Sequence, residues 1–410
     1  MDILYKIPDS WVWTTLNELF LIERGGSPRP IQQFLTAEAN GINWIKIGDT
    51  ELGQKYIETT KEKIKPEGLK KSRLVVDGDF ILSNSMSFGR PYIVKTTGAI
   101  HDGWLVFRDV DNNLDKDFFY YLLSSSYVYQ QFSRNASGST VRNLNIDIVK
   151  QTNISLPPLN EQKRIVTKIE KLFSNLDNSD KYLLHLEKQL KRYRQSVLKS
   201  AFEGEYKKVQ WKDIVNIKNG KHYINVLNKN GKYPIYGSSG IINYADEYLC
   251  NEATVIVGRK GTINKPLFVK EKFWNIDTAF GLEADQSKLF PLYLYYFTLS
   301  FNFLDLNQST AIPSLTKSNL QRISMSLPDS IAEQIEIVNE IEKHFSIIDK
   351  LEVVVQKSIK ESKRLRQSIL KQAFEGKLVE QDLNDESASI LLEKIAKAKE
   401  EYQKAMKRKK

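Results

Sequence analysis

The sequence predicts an α+β fold: two globular domains of mixed α/β structure, separated by two long helices that form an antiparallel coiled coil. Three observations lead to this prediction. The segment at 194–204 returns at 366–376 with nine of eleven positions identical. Each copy closes a stretch whose apolar residues recur at helical spacing. Each such stretch follows a region of short strand-like runs and glycine-containing turns.

The repeat covers both helical stretches and not only their ends. Ile169-Glu170-Lys171 matches Ile341-Glu342-Lys343, and Glu161-Gln162 matches Glu333-Gln334, all in the same register as the repeated segments. The same helical sequence pattern is therefore present twice. We expect five segments: a first globular domain at 1–153, a first coiled-coil helix at 154–204, a second globular domain at 205–324, a second coiled-coil helix at 325–376 and a basic helical tail at 377–410.

The first long helix carries a coiled-coil pattern. Ten positions that advance from 165 to 197 by alternate steps of four and three are apolar or aromatic in nine cases, with Ser179 as the exception. This repeat is typical of an a/d seam rather than of a helix that lies on a globular core. The equivalent seam of the second helix contains His344, Ser358 and Ser362. The polar positions either fix the register or leave a groove for another protein's helix.

Both long helices have clear start and stop signals. Proline precedes each one, at Pro157 and Pro328, and glycine follows each one, at Gly204 and Gly376. We expect the two helices to pair antiparallel, because the globular domain between them can return the chain. The tail after Gly376 ends in a run of basic residues, which is consistent either with a solvated helix or with a docking segment.

The two globular domains resemble each other faintly. Aromatic runs at 117–123 and 291–297 predict amphipathic helices, and we interpret their aromatic side chains as core residues rather than as base-stacking platforms. Strand-like runs at 79–82 and 254–257 each lead into a glycine-containing loop. Similar helices combined with divergent domains indicate one scaffold that carries two different specificities.

Charge and composition limit the classes of function. Sixty basic residues against 50 acidic ones give a formal net charge of +10, which suits a polyanionic partner. Arginine and lysine lie beside glycine and serine at 24–29 and 258–261, in loops that could approach phosphates and base edges. No apolar run is long enough for a membrane span, and the N-terminus lacks a secretory pattern, so we expect a cytoplasmic protein. Cys250 is the only cysteine, which excludes an internal disulfide.

Catalytic motifs are missing from the sequence. It contains no Gly-Lys-Ser or Gly-Lys-Thr phosphate loop and no Asn-Pro-Pro-aromatic run of the kind that adenine methyltransferases use. The four histidines have no metal-ligand spacing. His101-Asp102 matches Ile276-Asp277, and because the histidine is absent from the second copy we favour a structural Asp in a turn over a catalytic pair. The sequence therefore predicts a chain that is not an enzyme.

The whole chain resembles the specificity subunit of type I restriction-modification systems, the HsdS family. The most specific shared elements are the repeated segments at 194–204 and 366–376 and the segment at 156–162 with its second copy. The segments at 42–49, 233–241 and 257–261 look like parts of this family's target-recognition domains. The tail from 378 to 392 looks like its C-terminal extension.

The resemblance implies a function in DNA recognition. Each globular domain would read one half of a bipartite sequence in double-stranded DNA, and the coiled coil would set the spacing. Two methyltransferase subunits would dock on the helices, and restriction subunits could join them. The chain would carry no cofactor; S-adenosylmethionine would belong to the methyltransferase partner, and ATP and Mg to the restriction partner.

Loop chemistry and the resemblance together select the residues that we expect to contact DNA. In the first domain they are Arg24, Ser27, Arg29, Ser85, Ser87, Arg90, Ser137, Ser139, Thr140, Arg142 and Asn143. In the second domain they are Lys221, Tyr236, Ser238, Ser239, Arg259, Lys260, Lys265, Ser309 and Thr310.

Three alternatives stay open. One is a coiled-coil scaffold that joins proteins and does not bind DNA, which the helices support and the basic glycine loops do not. A second is a single-chain restriction enzyme, for which the sequence leaves no room for a nuclease or methyltransferase domain. A third is a stand-alone specificity subunit that uses methyltransferases encoded elsewhere. The sequence specifies neither the bases that are read nor the length of the gap.

Overall fold

The chain divides into two compact units, each built around one globular domain. The computed structural model describes residues 5–51, 53–84, 88–135, 144–307 and 312–408, with only the backbone of Asn135. Unit 1 comprises Met1–Asp180 and Lys360–Lys410, and unit 2 comprises Lys181–Ile359. Each long helix contributes one part to unit 1 and the other part to unit 2.

The two long helices predicted from the repeat are confirmed, and both are continuous over 44 residues. Among the shorter helices, those at Lys116–Leu123 and Pro291–Ser300 lie at the two predicted aromatic runs, and the helix at Ala388–Arg408 lies in the predicted helical tail. In chain order the α-helices are α1 (Leu16–Leu19), α2 (Lys116–Leu123), α3 (Ser126–Asn135), α4 (Ile146–Lys150), α5 (Leu159–Phe202), α6 (Pro291–Ser300), α7 (Lys317–Gln321), α8 (Ile331–Phe374) and α9 (Ala388–Arg408).

Unit 1 contains two five-stranded sheets and a two-stranded ribbon. Its strands are β1 (Val12–Thr15), β2 (Leu21–Arg24), β3 (Leu35–Thr36), β4 (Ile42–Ile45), β5 (Tyr56–Ile57), β6 (Glu62–Ile64), β7 (Arg73–Val75), β8 (Phe80–Ser83), β9 (Pro91–Val94), β10 (Gly98–Ile100), β11 (Trp104–Arg108) and β12 (Asn153–Leu156). The sheets have the orders β3-β6-β4-β10-β7 and β2-β11-β8-β9-β5, and β1 pairs with β12. The β4–β10 and β5–β9 pairs are parallel and the others antiparallel.

In the part of the chain that the structure describes, unit 2 has nine strands where unit 1 has twelve. They are β13 (Lys207–Gln210), β14 (Val215–Asn219), β15 (Tyr233–Gly237), β16 (Gly240–Ala245), β17 (Thr254–Gly258), β18 (Leu267–Val269), β19 (Trp274–Asn275), β20 (Ala279–Ala284) and β21 (Ser324–Leu327). The sheets have the orders β14-β20-β17-β18 and β16-β15-β19, and β13 pairs with β21. Mixed α/β domains are thus confirmed in both units.

The aromatic helices α2 and α6 pack into the cores, as predicted. In unit 1, Phe118 and Phe119 are buried, and the ring of Phe118 meets that of Phe374 on α8 edge to face at 5.5 Å. In unit 2, Tyr293 is buried, and the ring of Tyr296 meets that of Phe345 on α8 at 5.7 Å. The long helices are therefore part of the hydrophobic core of each unit.

A buried glutamine in the first turn of each long helix joins it to the aromatic helix. Gln162 accepts a hydrogen bond from the Asp115 backbone N–H at 3.0 Å and donates to the Pro157 carbonyl at 3.0 Å. Gln334 accepts from the Phe290 N–H at 2.7 Å and donates to the Lys288 carbonyl at 2.9 Å. Asp115 and Phe290 are the N-caps of α2 and α6. The same amide thus satisfies otherwise unpaired backbone groups in both units.

The pairing of the long helices is antiparallel within each unit. In unit 1, Arg366 on α8 donates to Asp177 at 2.7 Å and to Asp180 at 3.0 Å on α5, and its guanidinium lies 5.2 Å from the Phe173 ring. Ser155, just before α5, donates to the carbonyl of Phe374 at the end of α8 at 2.7 Å. Because the earlier residue Arg366 meets the later residue Asp177, the two segments run in opposite directions.

The equivalent cluster occurs in unit 2, at the positions that the helix repeat pairs with it. Arg194 on α5 pairs with Asp349 and Glu352 on α8 and lies 4.4 Å from the Phe345 ring. The repeated sequence therefore places the same arginine cluster once in each unit.

The predicted seam accounts for only part of the buried helix surface. Leu351 and Leu365 belong to the predicted seam but are 42% and 48% exposed. Val338 and Leu198 lie outside it and are 1% exposed, because the faces that carry them pack on the core of unit 2. Each helix therefore combines a pairing seam with a face that lies on a globular core, and the prediction of a seam alone was incomplete.

The tail helix α9 docks on unit 1, which decides between the two interpretations left open above. Leu391 and Ile395 are buried in its core. Arg164 on α5 donates to Asp385 at 2.6 Å. The Lys399 ammonium donates to carbonyls at the end of α1, including that of Phe20 at 3.1 Å, where a cation complements the negative helix end. Burial lowers the pKa of Lys399 below its ordinary value.

Candidate nucleic-acid interface

A glycine turn after β2 forms the base of the candidate interface in unit 1. The Gly25 N–H donates to the Trp104 carbonyl at 2.9 Å, and the Gly26 N–H donates to the Ile100 carbonyl at 3.1 Å. A Cβ atom at Gly25 would lie 2.1 Å from the His101 carbonyl oxygen, so only glycine allows this approach. The turn therefore holds the residues that follow it against the loop before β11.

Three of the predicted residues converge on Asp102 in that loop. Arg24 Nε donates to the Asp102 carbonyl at 3.0 Å, and Ser27 Oγ donates to Asp102 Oδ1 at 2.8 Å. Arg29 Nη2 donates to Asp102 Oδ2 at 3.3 Å. Burial alone would raise the pKa of Asp102, but the hydrogen bond from Ser27 and neighbouring charges bring the pKa below its ordinary value. Asp102 is thus an ionised brace for two exposed arginines.

His101 supports the same loop from inside the protein. Its ring lies between Trp44 and Trp104, with centroid distances of 6.1 and 6.2 Å. The Gly103 N–H donates to His101 Nδ1 at 2.7 Å, which requires an unprotonated Nδ1. Burial lowers the pKa of His101, and the charge of Asp102 offsets this only in part. This environment agrees with a structural role for the His101-Asp102 pair.

Arg90 lies at the far end of the β8–β9 hairpin, directly before β9. Its side chain is exposed, while its backbone N–H donates to Ser83 Oγ at 3.0 Å. Arg90 lines an open groove of about 960 Å³ together with Tyr129, Lys363 and Gln367. Exposed cations along an open groove are suited to phosphate contact.

Unit 2 repeats the glycine turn with the same backbone contacts. The Gly220 N–H donates to the Ala279 carbonyl at 3.1 Å, and the Lys221 N–H donates to the Asn275 carbonyl at 3.0 Å. A Cβ atom at Gly220 would lie 1.8 Å from the Ile276 carbonyl oxygen. Gly220 is therefore the counterpart of Gly25, and Lys221 is that of Gly26.

Arg259 directly follows β17 and reaches the loop before β20. Its N–H donates to the Thr278 carbonyl at 2.7 Å, and its Nη1 donates to the Asp277 carbonyl at 3.4 Å. In unit 1 the Asn84 N–H donates to the Gly103 carbonyl at 2.9 Å, and Asn84 Nδ2 donates to the Asp102 carbonyl at 3.0 Å.

Asn84 and Arg259 also accept equivalent backbone hydrogen bonds. The Leu144 N–H donates to the Asn84 carbonyl, and the Leu315 N–H donates to the Arg259 carbonyl. Asn84 and Arg259 are therefore counterparts, although Asn84 is buried and Arg259 is exposed.

The remaining predicted residues of unit 2 lie around this loop. Ser238 and Ser239 form the turn between β15 and β16, and a Cβ atom at Gly258 would lie 3.3 Å from the Ser238 Cβ. Lys260 is exposed and bridges Ser314 through the backbone. The Tyr236 ring is half-buried against Phe273 at 5.4 Å, so only part of it faces solvent. Lys265 is exposed before Pro266 and β18, as Arg90 is before Pro91 in β9.

Nine predicted contacts lie outside the described residues. They are Ser85, Ser87, Ser137, Ser139, Thr140, Arg142, Asn143, Ser309 and Thr310. The other eleven remain predictions as DNA contacts, and their placement is as given above.

Sequence analysis overlooked Asn84, and it matched Asp277 to Asp102 without counting Asp277 among the expected DNA contacts. The signal that could have found them is the shared sequence of basic residue and proline at 90–91 and 265–266. An alignment of the two domains on that pair also places Asn84 opposite Arg259 and Asp102 opposite Asp277.

Among the described residues no group of three or more histidine, cysteine, aspartate or glutamate side chains could hold a metal ion. Burial raises the pKa of the Cys250 thiol to about 12, and the thiol donates to Asn275 at 3.2 Å, so Cys250 is a buried structural residue. None of the helices in the described ranges has the length and apolar character that crossing a bilayer requires.

The structure combines two related α/β domains, each with basic loops at equivalent positions, and two long helices with a repeated sequence. These features define a class of proteins whose recognition domain is present twice. The model of the family described as type I restriction modification DNA specificity domain matches residues 8–188 and 203–361. These two segments make up more than half of the chain, so the chain belongs to this family.

Several relatives are similar over nearly their whole length. The type I restriction enzyme EcoBI specificity subunit of Escherichia coli is 26% identical, with 96% of this chain and 93% of the relative covered. The StySPI specificity subunit of Salmonella potsdam is 23% identical, with 95% and 96% covered. The EcoKI specificity subunit of Escherichia coli strain K12 is 24% identical, with the same coverage.

Solved structures support the fold. A chain from a study of complex assembly and conformational transition of the type I R-M system aligns with a TM-score of 0.78 at 20% identity, covering 91% of this chain and 100% of that one. The HsdS subunit from Thermoanaerobacter tengcongensis aligns with a TM-score of 0.61 at 20% identity, covering 91% and 98%. The arrangement of two α/β domains and two long helices is therefore that of the family.

Proposed function

We propose that this chain is the DNA specificity subunit of a type I restriction-modification complex, and that each unit reads one half of a bipartite site in double-stranded DNA. The observation that carries this proposal is a pair of equivalent loop edges, by which we mean the glycine turns at Gly25 and Gly220 together with the loops that they contact. The two turns make equivalent backbone contacts, while the side chains around them differ. A common backbone frame with different side chains supports two different half-sites. Membership of the specificity family supports DNA as the ligand.

The charges on the two loop edges support the same ligand. Arg24, Arg29 and Arg90 are exposed in unit 1, and Lys221, Arg259, Lys260 and Lys265 are exposed in unit 2. Backbone contacts by such cations would provide affinity, while polar side chains that reach base edges would provide specificity. Recognition of two linked half-sites multiplies their discrimination.

The proposal assigns the spacing between the half-sites to α5 and α8, each of which contributes residues to both units. Their repeated surface also offers two equivalent docking sites. Lys191 and Arg192 on α5 are exposed, as are their counterparts Lys363 and Arg364 on α8. Two copies of one methyltransferase subunit could therefore dock in equivalent ways, and restriction subunits could join through them.

Chemistry in this proposal belongs to the partners. S-adenosylmethionine would bind the methyltransferase subunits, and ATP and Mg would bind the restriction subunits. The complex would act in the cytoplasm, on DNA. This chain would contribute recognition and geometry only.

The experiment is to coexpress the chain with its candidate methyltransferase subunit in a host without adenine methylation and to map modified adenines by long-read sequencing. The expected result is a bipartite motif with a fixed gap. A well-formed complex that modifies no DNA, combined with a purified chain that does not bind duplex DNA, would favour the protein scaffold and contradict the proposal. Modification only after methyltransferases from another locus are added would identify a stand-alone subunit.

A further inference from the structure

Asp277 differs from its counterpart in a way that the fold does not require. In unit 1, both carboxylate oxygens of Asp102 accept side-chain hydrogen bonds, from Ser27 and Arg29. In unit 2, the side chain of Asp277 is exposed, and among the described residues no hydrogen bond or ion pair reaches its carboxylate. The loop before β20 therefore keeps the acidic side chain without using it as a brace.

The loss of the brace follows from the sequence of the glycine turn. With Gly220 as the counterpart of Gly25, the positions of Ser27 and Arg29 are taken by His222 and Ile224. Ile224 is 61% exposed, and the His222 ring stacks on Tyr223 at 6.0 Å. Neither side chain holds Asp277, so its carboxylate is available to a ligand.

An available carboxylate is unexpected on a face that binds a polyanion. Arg259, Lys260 and Lys221 are exposed around the same loop edge and favour phosphate. A carboxylate among them repels phosphate, and a hydrogen bond that it accepts from a base would offset this cost. In the major groove, Asp accepts from the amino group of cytosine, and Arg donates to O6 and N7 of guanine.

The structure places these two chemistries side by side. Arg259 Nη1 donates to the backbone carbonyl of Asp277 at 3.4 Å, which brings the guanidinium to the residue that carries the free carboxylate and leaves its other N–H groups available. We infer that Arg259 and Asp277 together read one guanine–cytosine base pair in the half-site of unit 2, with Arg259 on the guanine and Asp277 on the cytosine amino group. This inference rests on the proposed function.

Unit 1 reads DNA differently at the equivalent point. Asn84, the counterpart of Arg259, is only 4% exposed and is held by the Asp102 carbonyl. Asp102 is held by Ser27 and Arg29. The counterparts of Arg259 and Asp277 in unit 1 are therefore engaged in hydrogen bonds within the protein. Contact with DNA there falls to the exposed arginines of the glycine turn.

The experiment compares complexes that contain the wild-type chain, Asp277→Ala, Asp277→Asn or Arg259→Ala. The methylated motif of each complex is mapped. Binding is then measured to duplexes that carry each base pair at each position of the unit 2 half-site. Glu252→Ala is the matched charge control, because Glu252 is exposed at the opposite end of β17 from Arg259. Circular dichroism checks folding, and Asp277→Asn keeps the side-chain size.

We expect Arg259→Ala to relax one guanine–cytosine position by about 5- to 150-fold, since a bidentate base contact discriminates by about 1–3 kcal/mol and 1.4 kcal/mol is tenfold, and we expect Asp277→Ala to relax the same position. The unit 1 half-site and the Glu252→Ala motif should not change. An unchanged motif in Asp277→Ala, an equal gain of affinity for all sequences, or relaxation at different positions in the two variants would overturn the inference.

A uniform loss of affinity with a smaller salt slope in Arg259→Ala would mark a phosphate contact and would also overturn it. Absence of any bipartite motif for the wild-type complex would instead contradict the proposed function. The two failures are therefore distinguishable.

Discussion

At the scale of single residues, Gln162 and Gln334 do the same structural work in the two units. Each is buried and uses both ends of its amide on backbone groups. Alanine at either position would leave a half-buried backbone N–H and a backbone carbonyl without this partner. We expect each substitution to lower the free energy of unfolding by about 1–3 kcal/mol.

Urea unfolding of the purified chain measures this effect. Gln195→Ala is the control, because Gln195 is exposed on α5 and its loss should change the free energy of unfolding by no more than about 0.5 kcal/mol. Equal losses in the control and in Gln162→Ala would show that the buried amides are not stabilising.

His101 gives a prediction about pH. Burial lowers the pKa of His101 in the folded protein, so the unfolded chain takes up the proton first as the pH falls. Stability from the neutral ring is complete above the ordinary histidine pKa of about 6.5 and is lost as the pH falls from there through the folded pKa. We expect the free energy of unfolding of His101→Gln to fall less than that of the wild type between about pH 7.5 and 5.5. An equal fall in both proteins, in parallel urea titrations, would contradict this.

Arg90 and Lys265 occupy equivalent positions before β9 and β18, and both are exposed. If each contacts one phosphate, alanine at either position should reduce the slope of log affinity against log salt by about 0.9 without a change in sequence preference. Lys95 and Lys270 follow the same two strands at their other ends and are matched controls. Slopes that respond to the controls as strongly as to Arg90 and Lys265 would argue against contact at these positions.

At the scale of elements, the arginine clusters join α5 to α8. Arg366 bonds Asp177 and Asp180 across the helix pair, but the Asp177 side chain is 58% exposed, so solvent screens part of the interaction. A double-mutant cycle of Arg366→Ala and Asp177→Ala should give a coupling energy of about 0.5–1 kcal/mol. The counterpart cycle, Arg194→Ala with Asp349→Ala, tests unit 2. Additive losses in both cycles would mean that the clusters do not stabilise the pairing.

The sequence predicted the existence of these helices better than the surfaces they bury. Start and stop signals and the repeat identified α5 and α8, because local patterns alone determine them. The exposure of Leu351 and Leu365, and the burial of Val338, depend on which face meets the globular core, and that requires tertiary structure. The docking of α9 on unit 1 is of the same kind, since Leu391 and Ile395 need a partner surface that local sequence does not reveal.

Within the candidate interface, the glycine loops were predictable and the roles of their side chains were not. Arg24 and Arg259 were predicted as contacts because they lie in basic, glycine-containing loops and because the chain resembles the specificity family. That Arg24 and Asn84 both bond the Asp102 carbonyl follows from strands brought together across the sheet. Distant residues meet there through hydrogen bonds that no sequence spacing encodes.

At the scale of the whole molecule, the chain contains one architecture twice. The two long helices align with each other without a gap, whereas the loops of the two globular domains align only at other sequence offsets. Insertions and substitutions therefore accumulated in the globular domains while the helices stayed alike. This pattern is what a modular recognition subunit requires: a shared scaffold that keeps spacing and partners constant, and two domains that can diverge in specificity.

The most direct test of this account replaces residues 205–324 with the corresponding domain of a relative that recognises a different sequence and maps the methylated motif of the resulting complex. The account predicts that one half of the motif changes to that of the donor, while the other half and the length of the gap stay as they are in the wild type. A change in both halves, or an unchanged motif in a well-formed complex, would contradict the claim that each unit reads its own half-site.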